Sequence, residues 1–276
     1  MADFDIQREF TFDTRDFDRV RQLIYARAGI SLHSGKQAMV YSRLSRRLRD
    51  TGHQSFHDYL HWLETTSDAR TEAEWQEFIN ALTTNLTSFF REEHHFHMLA
   101  DAIRKSGKSQ ARIWCNATST GEEPYSIVMT CTEAMGGLTG LKLLATDIDT
   151  KVLSTAARGV YSAESRGLSA ERLKRFFLRG TGANSGSIRV RPEFQRPIEF
   201  RTFNLMSTSW QLGEPFDYIF CRNVMIYFDA PTQRKVLEGM HRVLKPSGLL
   251  FVGHSENFTD AKDLFRLQGK TVYERV

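Results

Sequence analysis

At 276 residues the chain is long for one small core and short for three, so one large domain with a smaller one is expected. Hydrophobic residues at 41% and charged residues at 25% sit near the averages of globular proteins, which excludes disordered, collagen-like and fibrous classes. The net charge is a modest +4, no apolar run is long enough to span a membrane, and Met1 to Phe10 lacks the apolar core of a signal peptide, so a cytoplasmic location is expected.

The first 90 residues read as helices alone. Asp13 or Thr14 caps a helix carrying Phe17, Val20, Leu23, Ile24 and Ala28, which stops at Gly29. Ser34 opens a second, with Val40, Leu44 and Leu48 at four-residue spacing, ended by Gly52. Within it Lys36, Arg43, Arg46, Arg47 and Arg49 occur with no acid between them, although the first 90 residues as a whole carry eleven Lys/Arg against thirteen Asp/Glu. Val40, Leu44 and Leu48 fix the buried side, so these arginines fall mostly away from it. Nucleic acid, an acidic protein surface and plain solvation all remain open as the purpose of such a stripe. Ser55 opens a third helix through Phe56, Tyr59, Leu60 and Leu63, and Thr71 with Glu74 forms a capping-box pattern before Trp75, Phe78 and Leu82.

From about residue 111 short apolar runs alternate with helical stretches. Ala111 to Asn116, Leu141 to Ile148, Phe216 to Arg222 and Gly248 to Gly253 have strand length, and Tyr125 to Met135 and Pro231 to Leu244 have helical patterning. This is the grammar of a parallel sheet covered by helices. Leu178 to Phe203 breaks it: a Gly/Ser/Asn-rich turn, Gly180 to Gly186, lies before the alternating segments Ser187 to Arg191 and Ile198 to Phe203, which together read as a small antiparallel excursion. Cys115, Cys131 and Cys221 are odd in number and sit in apolar runs, which fits reduced core thiols rather than disulfides or a zinc site.

An open parallel sheet binds its ligand at the carboxyl ends of its strands. The first strand runs into Asn116-Ala117-Thr118-Ser119-Thr120-Gly121-Glu122-Glu123-Pro124, a small polar turn that opens a helix. It is not a dinucleotide G-x-G-x-x-G, and no G-x-x-x-x-G-K-[ST] phosphate loop occurs. Glu122 and Glu123 suit a cationic or hydroxyl-bearing ligand, and equally suit the helix dipole. The second strand ends at Asp147, where an acid can accept both hydroxyls of a ribose, though aspartate there also caps helices. The turn, the acid and the missing phosphate motifs together point to an adenosyl ligand without phosphates, S-adenosylmethionine (SAM) first among them.

Thr83-Thr84-Asn85-Leu86-Thr87-Ser88-Phe89-Phe90-Arg91-Glu92, Ser119-Thr120-Gly121-Glu122-Glu123-Pro124-Tyr125-Ser126, Ala145-Thr146-Asp147-Ile148-Asp149-Thr150, Phe220 to Phe228 and Gly253-His254-Ser255-Glu256-Asn257-Phe258 follow one another in the chain. These segments resemble, in order, the motifs of the chemotaxis receptor methyltransferase (CheR) family, over a span from about residue 10 to the C-terminus. The resemblance implies a class I SAM-dependent methyltransferase domain of Rossmann-like α/β type with an inserted antiparallel β-subdomain, preceded by a small all-helical domain. The expected bounds are 1–83 for the helical domain, 84–110 for a linker and helix, and 111–276 for the methyltransferase domain, with the insert at about 178–203.

The resemblance further implies an activity: methyl transfer from SAM, leaving S-adenosylhomocysteine, to glutamate side chains of chemoreceptor cytoplasmic domains. It assigns the cofactor to Asn85, Thr87, Arg91, Glu123, Asp147, Asn204, Leu205, Asn223 and Val224, and catalysis to Arg91 and Tyr227. A planar guanidinium holds a carboxylate at two points, and a tyrosine hydroxyl can orient the attacking oxygen. From spacing alone Arg91 suits an ion pair with Glu92 or Glu93 better, and it is the motif that favours the site. Receptor methylation regions in the family are acidic helices, which makes Arg43, Arg46, Arg47 and Arg49 the candidate substrate-binding residues. Leu178 to Arg191 looks like the insert of those members that tether a receptor C-terminal pentapeptide, implying Gly180, Gly182, Gly186, Arg189 and Arg191 as its site. The strand after the glycine turn is expected to offer its free edge to that peptide. One departure stands out: Asn116 and Thr118 occupy positions where the family keeps small residues.

Other residues carry no site. His94, His95 and His97 share one helical stretch, but only His94 and His97 fall on one face and no third ligand is identifiable, so no metal is expected. His254-Ser255-Glu256 is not a nucleophile elbow. The rival readings are methylation of another acidic protein or of nucleic acid. The second is disfavoured because Arg222-Asn223-Val224-Met225 stands where an Asn/Asp-Pro-Pro-aromatic tetrapeptide would be, so no nucleic-acid partner is expected. No membrane insertion is expected either, and the expected working form is a monomer.

Overall fold

The computed structural model describes residues 9–258 and 261–276. The signal-peptide reading of Met1 to Phe10 falls largely outside them. Among the described residues no helix is long and apolar enough to cross a membrane. The chain divides into a helical unit ending at Thr84 and a larger unit from Asn85 to Val276.

The helical unit consists of α1 (Thr14–Ala28), a 3-10 turn at Ser34–Lys36, α2 (Gln37–Thr51), α3 (Phe56–Thr65) and α4 (Ala69–Leu82). Asp13 caps α1 in a reciprocal box with Asp16, and Gly29 ends it in the left-handed region. Ser34 opens only the 3-10 turn; α2 proper starts at Gln37. The box expected at Thr71 and Glu74 is not formed. Asp68 caps α4 instead, taking the Thr71 amide at 2.7 Å and its hydroxyl at 2.9 Å, and Glu74 is buried in the helix body. A cap is selected by where the preceding chain turns out of the helix, and Thr71 is already inside it.

In the larger unit, α5 (His94–Ser106) precedes β1 (Ala111–Asn116), α6 (Glu122–Met135), β2 (Leu141–Asp147) and α7 (Thr150–Arg158). The chain then makes β3 (Val160–Ser162), α8 (Ala170–Phe176), β4 (Phe177–Arg179), β5 (Ser187–Val190) and α9 (Pro192–Gln195) before β6 (Ile198–Thr202). It closes with β7 (Phe216–Cys221), α10 (Ala230–Val243), β8 (Leu244–Val252), β9 (Phe265–Gly269) and β10 (Val272–Arg275). The main sheet is seven-stranded in the order β6-β2-β1-β7-β8-β10-β9, with β10 antiparallel to both neighbours and the other neighbouring pairs parallel. Because β1 and β2 run outward to β6 and the chain returns to β7 on the other side of β1, the order reverses between β1 and β7. That is where such sheets open a ligand crevice.

Helices cover both faces, as the apolar strands demand. β7 is buried at all six positions, and Phe220 stacks on Phe251 of β8 with ring centroids 4.3 Å apart. Phe89, Phe90, Phe96 and Leu99 belong to the same core cluster as β1 and α6, so residues 85–110 pack as part of the larger unit rather than as a separate connector.

The insert differs from its expected bounds. The small antiparallel sheet is β3-β5-β4, drawn from residues 160–190, whereas Ile198–Thr202 is the parallel edge strand of the main sheet beside β2. Alternation alone cannot choose between a hairpin arm and an edge strand with one covered face, and here α9 turns the chain away before β6 begins.

Candidate active site

The turn after β1 is held in an unusual backbone conformation. Ala117 and Ser119 both have φ 52°, and Gly121 has φ 100°. Residues with a Cβ keep such angles only where the surroundings enforce them. The enforcement is visible: the Thr118 amide donates to the Thr146 carbonyl at 2.9 Å, and the Ser119 amide to Asp147 Oδ2 at 2.7 Å. Thr118 is fully buried with its hydroxyl on the Cys115 carbonyl, so its extra bulk points into the interior. A Cβ at Gly121 would run into the Tyr161 hydroxyl and Ala156, which is why glycine stands there. Asn116, 1% exposed, has a carboxamide with no hydrogen-bond partner, an interaction with the Cys221 thiol aside.

Asp147 ends β2 at 7% exposure, its second oxygen accepting from the Asp149 amide at 2.9 Å. Burial outweighs these hydrogen bonds and pushes its pKa up to about 6. Around it the neighbouring segments are stitched together. The Asn85 carboxamide donates to Asp149 Oδ2 at 2.8 Å, the Ser119 hydroxyl to the Asn85 carbonyl at 3.0 Å, and the Phe203 amide to the Asp147 carbonyl at 3.0 Å. The last bond brings Asn204 and Leu205 alongside. Leu205 and Val224 pack on the same core cluster, and Asn223, with φ 59°, follows β7 directly.

The side chain that joins these segments is Arg222, which spacing did not single out. It is 4% exposed, ion-pairs with Glu123 of α6, lies 3.4 Å from Glu92, and donates to the Arg91 carbonyl. Glu123 thus holds Arg222, and its other oxygen accepts from the Cys115 thiol. Burial opposes ionisation of Glu92, but hydrogen bonds from His254 and the charge of Arg222 take its pKa down to about 2. Glu256 is a second unforeseen anchor. Its carboxylate accepts the amides of Asn223, Val224, Met225 and Gly253 at 2.6–3.0 Å and fixes the loop after β7. The signal for both lay inside the quoted motifs, where an arginine at a strand end and a glutamate beside it in space have no recognisable spacing.

Arg91 donates to the Leu86 carbonyl at 2.9 Å and makes no ion pair with Glu92 or Glu93 among the described residues. Tyr227 is half-buried in a 3-10 turn, its amide on the Val224 carbonyl, and Thr87 is half-buried in the segment before Arg91. The histidine reading needs correction: Glu92, His94 and His95 bring ligand atoms within 4.8 Å of one another, while His97 turns away toward Glu93. Glu92 sits just before α5 with φ 56°, which folds it back over the helix start. The Nε2 atoms of both imidazoles reach the Lys270 carbonyl at 3.2 Å, and Arg222 lies beside Glu92 at 3.4 Å.

The expected peptide and substrate residues also shift. β5 is the central strand of the small sheet, so both its edges are paired; the free edges belong to β3 and β4. Arg189 is exposed on β5, but Arg191 lies past the strand and donates to the Lys174 carbonyl at 3.3 Å. Gly180 abuts Asn184 and Ser187, while Gly182 and Gly186 face open space. On α2, Arg47 is 14% exposed and bonds Glu74 at 2.9 and 2.6 Å, and Arg43 caps the carbonyl of Thr83 at 2.6 Å. Only Arg46, 80% exposed, and Arg49, 55% exposed, leave the unit's interior. Apolar spacing could not reveal that α4 supplies an acid beneath the stripe.

A topological switch point between β1 and β7, a buried acid at the end of β2, a buried carboxamide and a strained turn without a phosphate cradle suit an adenosyl group. With the reversed last strand they define a class I SAM-dependent methyltransferase. The all-alpha domain of the CheR methyltransferases matches residues 15–83 and their SAM binding domain residues 85–274, and the chain belongs to that family. It is 53% identical to a chemotaxis protein methyltransferase of Klebsiella aerogenes, over 93% of this chain and 88% of that one. It is 51% identical to that of Escherichia coli, over 93% and 89%. With chemotaxis protein methyltransferase 2 of Pseudomonas aeruginosa it shares 50% identity over 96% and 95%.

Proposed function

We propose that the chain methylates glutamate side chains of chemoreceptor cytoplasmic domains, forming methyl esters. The observation that carries this is half-identity, over nearly the whole chain, to proteins named chemotaxis protein methyltransferases. Bound SAM supplies a methyl group already activated on a sulfonium. Asp147 accepts the ribose hydroxyls, and Asn85, Thr87, Asn204, Leu205, Asn223 and Val224 line the remainder of the cofactor. Glu123 acts through Arg222, its ion-pair partner, to hold the floor of the site. A glutamate nucleophile is ionised at neutral pH, so no strong base is needed and alignment provides the rate. Arg91 holds a carboxylate by its fork once freed from the Leu86 carbonyl, and Tyr227 orients the attacking oxygen.

Arg46 and Arg49 steer the acidic receptor helix. A receptor tail peptide adds to the free edge of β3 or β4, and the cross-strand row Val160, Arg189 and Leu178 supports this: two apolar side chains, 44% and 43% exposed, flank an exposed arginine. Tethering raises local substrate concentration to roughly millimolar. The test is incubation with methyl-labelled SAM and receptor cytoplasmic fragments. Label released as methanol by mild alkali supports an ester; alkali-stable label, or label on nucleic acid alone, overturns it.

A further inference from the structure

The inserted sheet is tied to the cofactor crevice by a residue that none of the motifs includes. Tyr161, the middle residue of β3, is 8% exposed and donates its hydroxyl to the Thr120 carbonyl at 2.8 Å. Thr120 lies in the turn between β1 and α6, next to Gly121, whose bare α-carbon faces the same hydroxyl. The Tyr161 ring meets Phe89 edge-to-face at 4.9 Å, and Phe89 meets Phe177 of β4 at 5.7 Å. Phe89 belongs to the segment that carries Asn85, Thr87 and Arg91. One side chain of the insert therefore touches both cofactor-lining segments.

We infer that Tyr161 is a positioning residue for the cofactor, holding the 117–121 turn in its binding conformation through the Thr120 carbonyl. The inference rests on the reading that this turn borders SAM. Ala117 and Ser119 hold left-handed angles only because neighbours over-determine them. Without the hydroxyl the turn spends less time in its competent form, and the apparent dissociation constant rises by the inverse of that fraction. Once cofactor is bound the same turn is restored, so the loss belongs in binding and not in turnover.

Tyr161→Phe removes the hydroxyl and keeps the ring on Phe89. Affinity for S-adenosylhomocysteine by calorimetry is expected to fall about tenfold, with KM for SAM rising in step and kcat at saturation within about twofold of the parent. Amides of 117–121 should exchange faster in the unliganded protein while those of β1 and β7 do not. Unchanged affinity overturns the inference, as does a general loss of protection with a lowered thermal midpoint. Asp147→Ala is measured alongside. If it too binds as the parent does, the cofactor reading itself is wrong and the inference falls with it; if only Tyr161→Phe is silent, the reading stands and the inference alone fails.

Discussion

The guanidinium of Arg222 meets Glu123, Glu92 and the Arg91 carbonyl from the end of one strand, so it joins α6, β7 and the segment before α5. Removing a buried charge strands its partners, which costs about 3–5 kcal/mol. Arg222→Met should therefore lower stability to denaturant by about that amount and weaken cofactor binding as the segments part. Arg222→Lys should recover part of the stability and little of the binding, because a point charge cannot reach two carboxylates and a carbonyl together. Equal stability of the methionine variant and the parent by urea unfolding would contradict this assignment. Asp147 gives a test in pH. Its carboxyl is raised to about 6, and two ribose hydroxyls donate far better to the ionised form, whose oxygens are both charged acceptors. Affinity for S-adenosylhomocysteine should thus hold above that value and fall as pH drops through it, about tenfold weaker near pH 5. Asp147→Asn should bind weakly and without this pH dependence, which calorimetry across the range would reveal.

At the scale of elements, α2 shows how a charge stripe divides its labour. Half-buried Arg47 and buried Glu74 form a bidentate pair to which the Tyr59 hydroxyl adds a hydrogen bond at 2.7 Å. Arg47→Glu sets a second carboxylate against buried Glu74 and should cost about 3–5 kcal/mol, seen as a lowered thermal midpoint. Reversing Arg46 and Arg49 together removes only surface pairs, which contribute about 0–1 kcal/mol each. That variant should keep the parent's midpoint and cofactor affinity while methylating receptor fragments more slowly, most clearly at low salt. Parental rates at low ionic strength would assign these arginines to solvation. The insert makes the same point for strands: its alternating pattern was legible, but the partner of each strand was not. Ile198–Thr202 pairs with β2, more than fifty residues earlier, and no local turn chemistry specifies that.

For the whole molecule, every residue assigned to the cofactor lies between Asn85 and Val224, inside the unit that begins at Asn85. A fragment comprising 85–276 should then bind S-adenosylhomocysteine within about threefold of the full chain, while methylating receptor fragments poorly for want of Arg46 and Arg49. Failure of the folded fragment to bind would contradict this expectation. The sequence by itself determined the class of fold, the strand-end turn, the acid of β2 and the family. Period-2 and period-3.6 patterning, turn composition and ordered motifs are local properties, written in consecutive residues. Only the tertiary structure decided that Glu123 serves Arg222, that Glu256 gathers four amides, that Arg47 folds onto Glu74 and that Tyr161 reaches the turn after β1. Each depends on groups from distant segments meeting where water is excluded. There an unpaired charge or carbonyl costs several kcal/mol and must find whatever partner the packing brings.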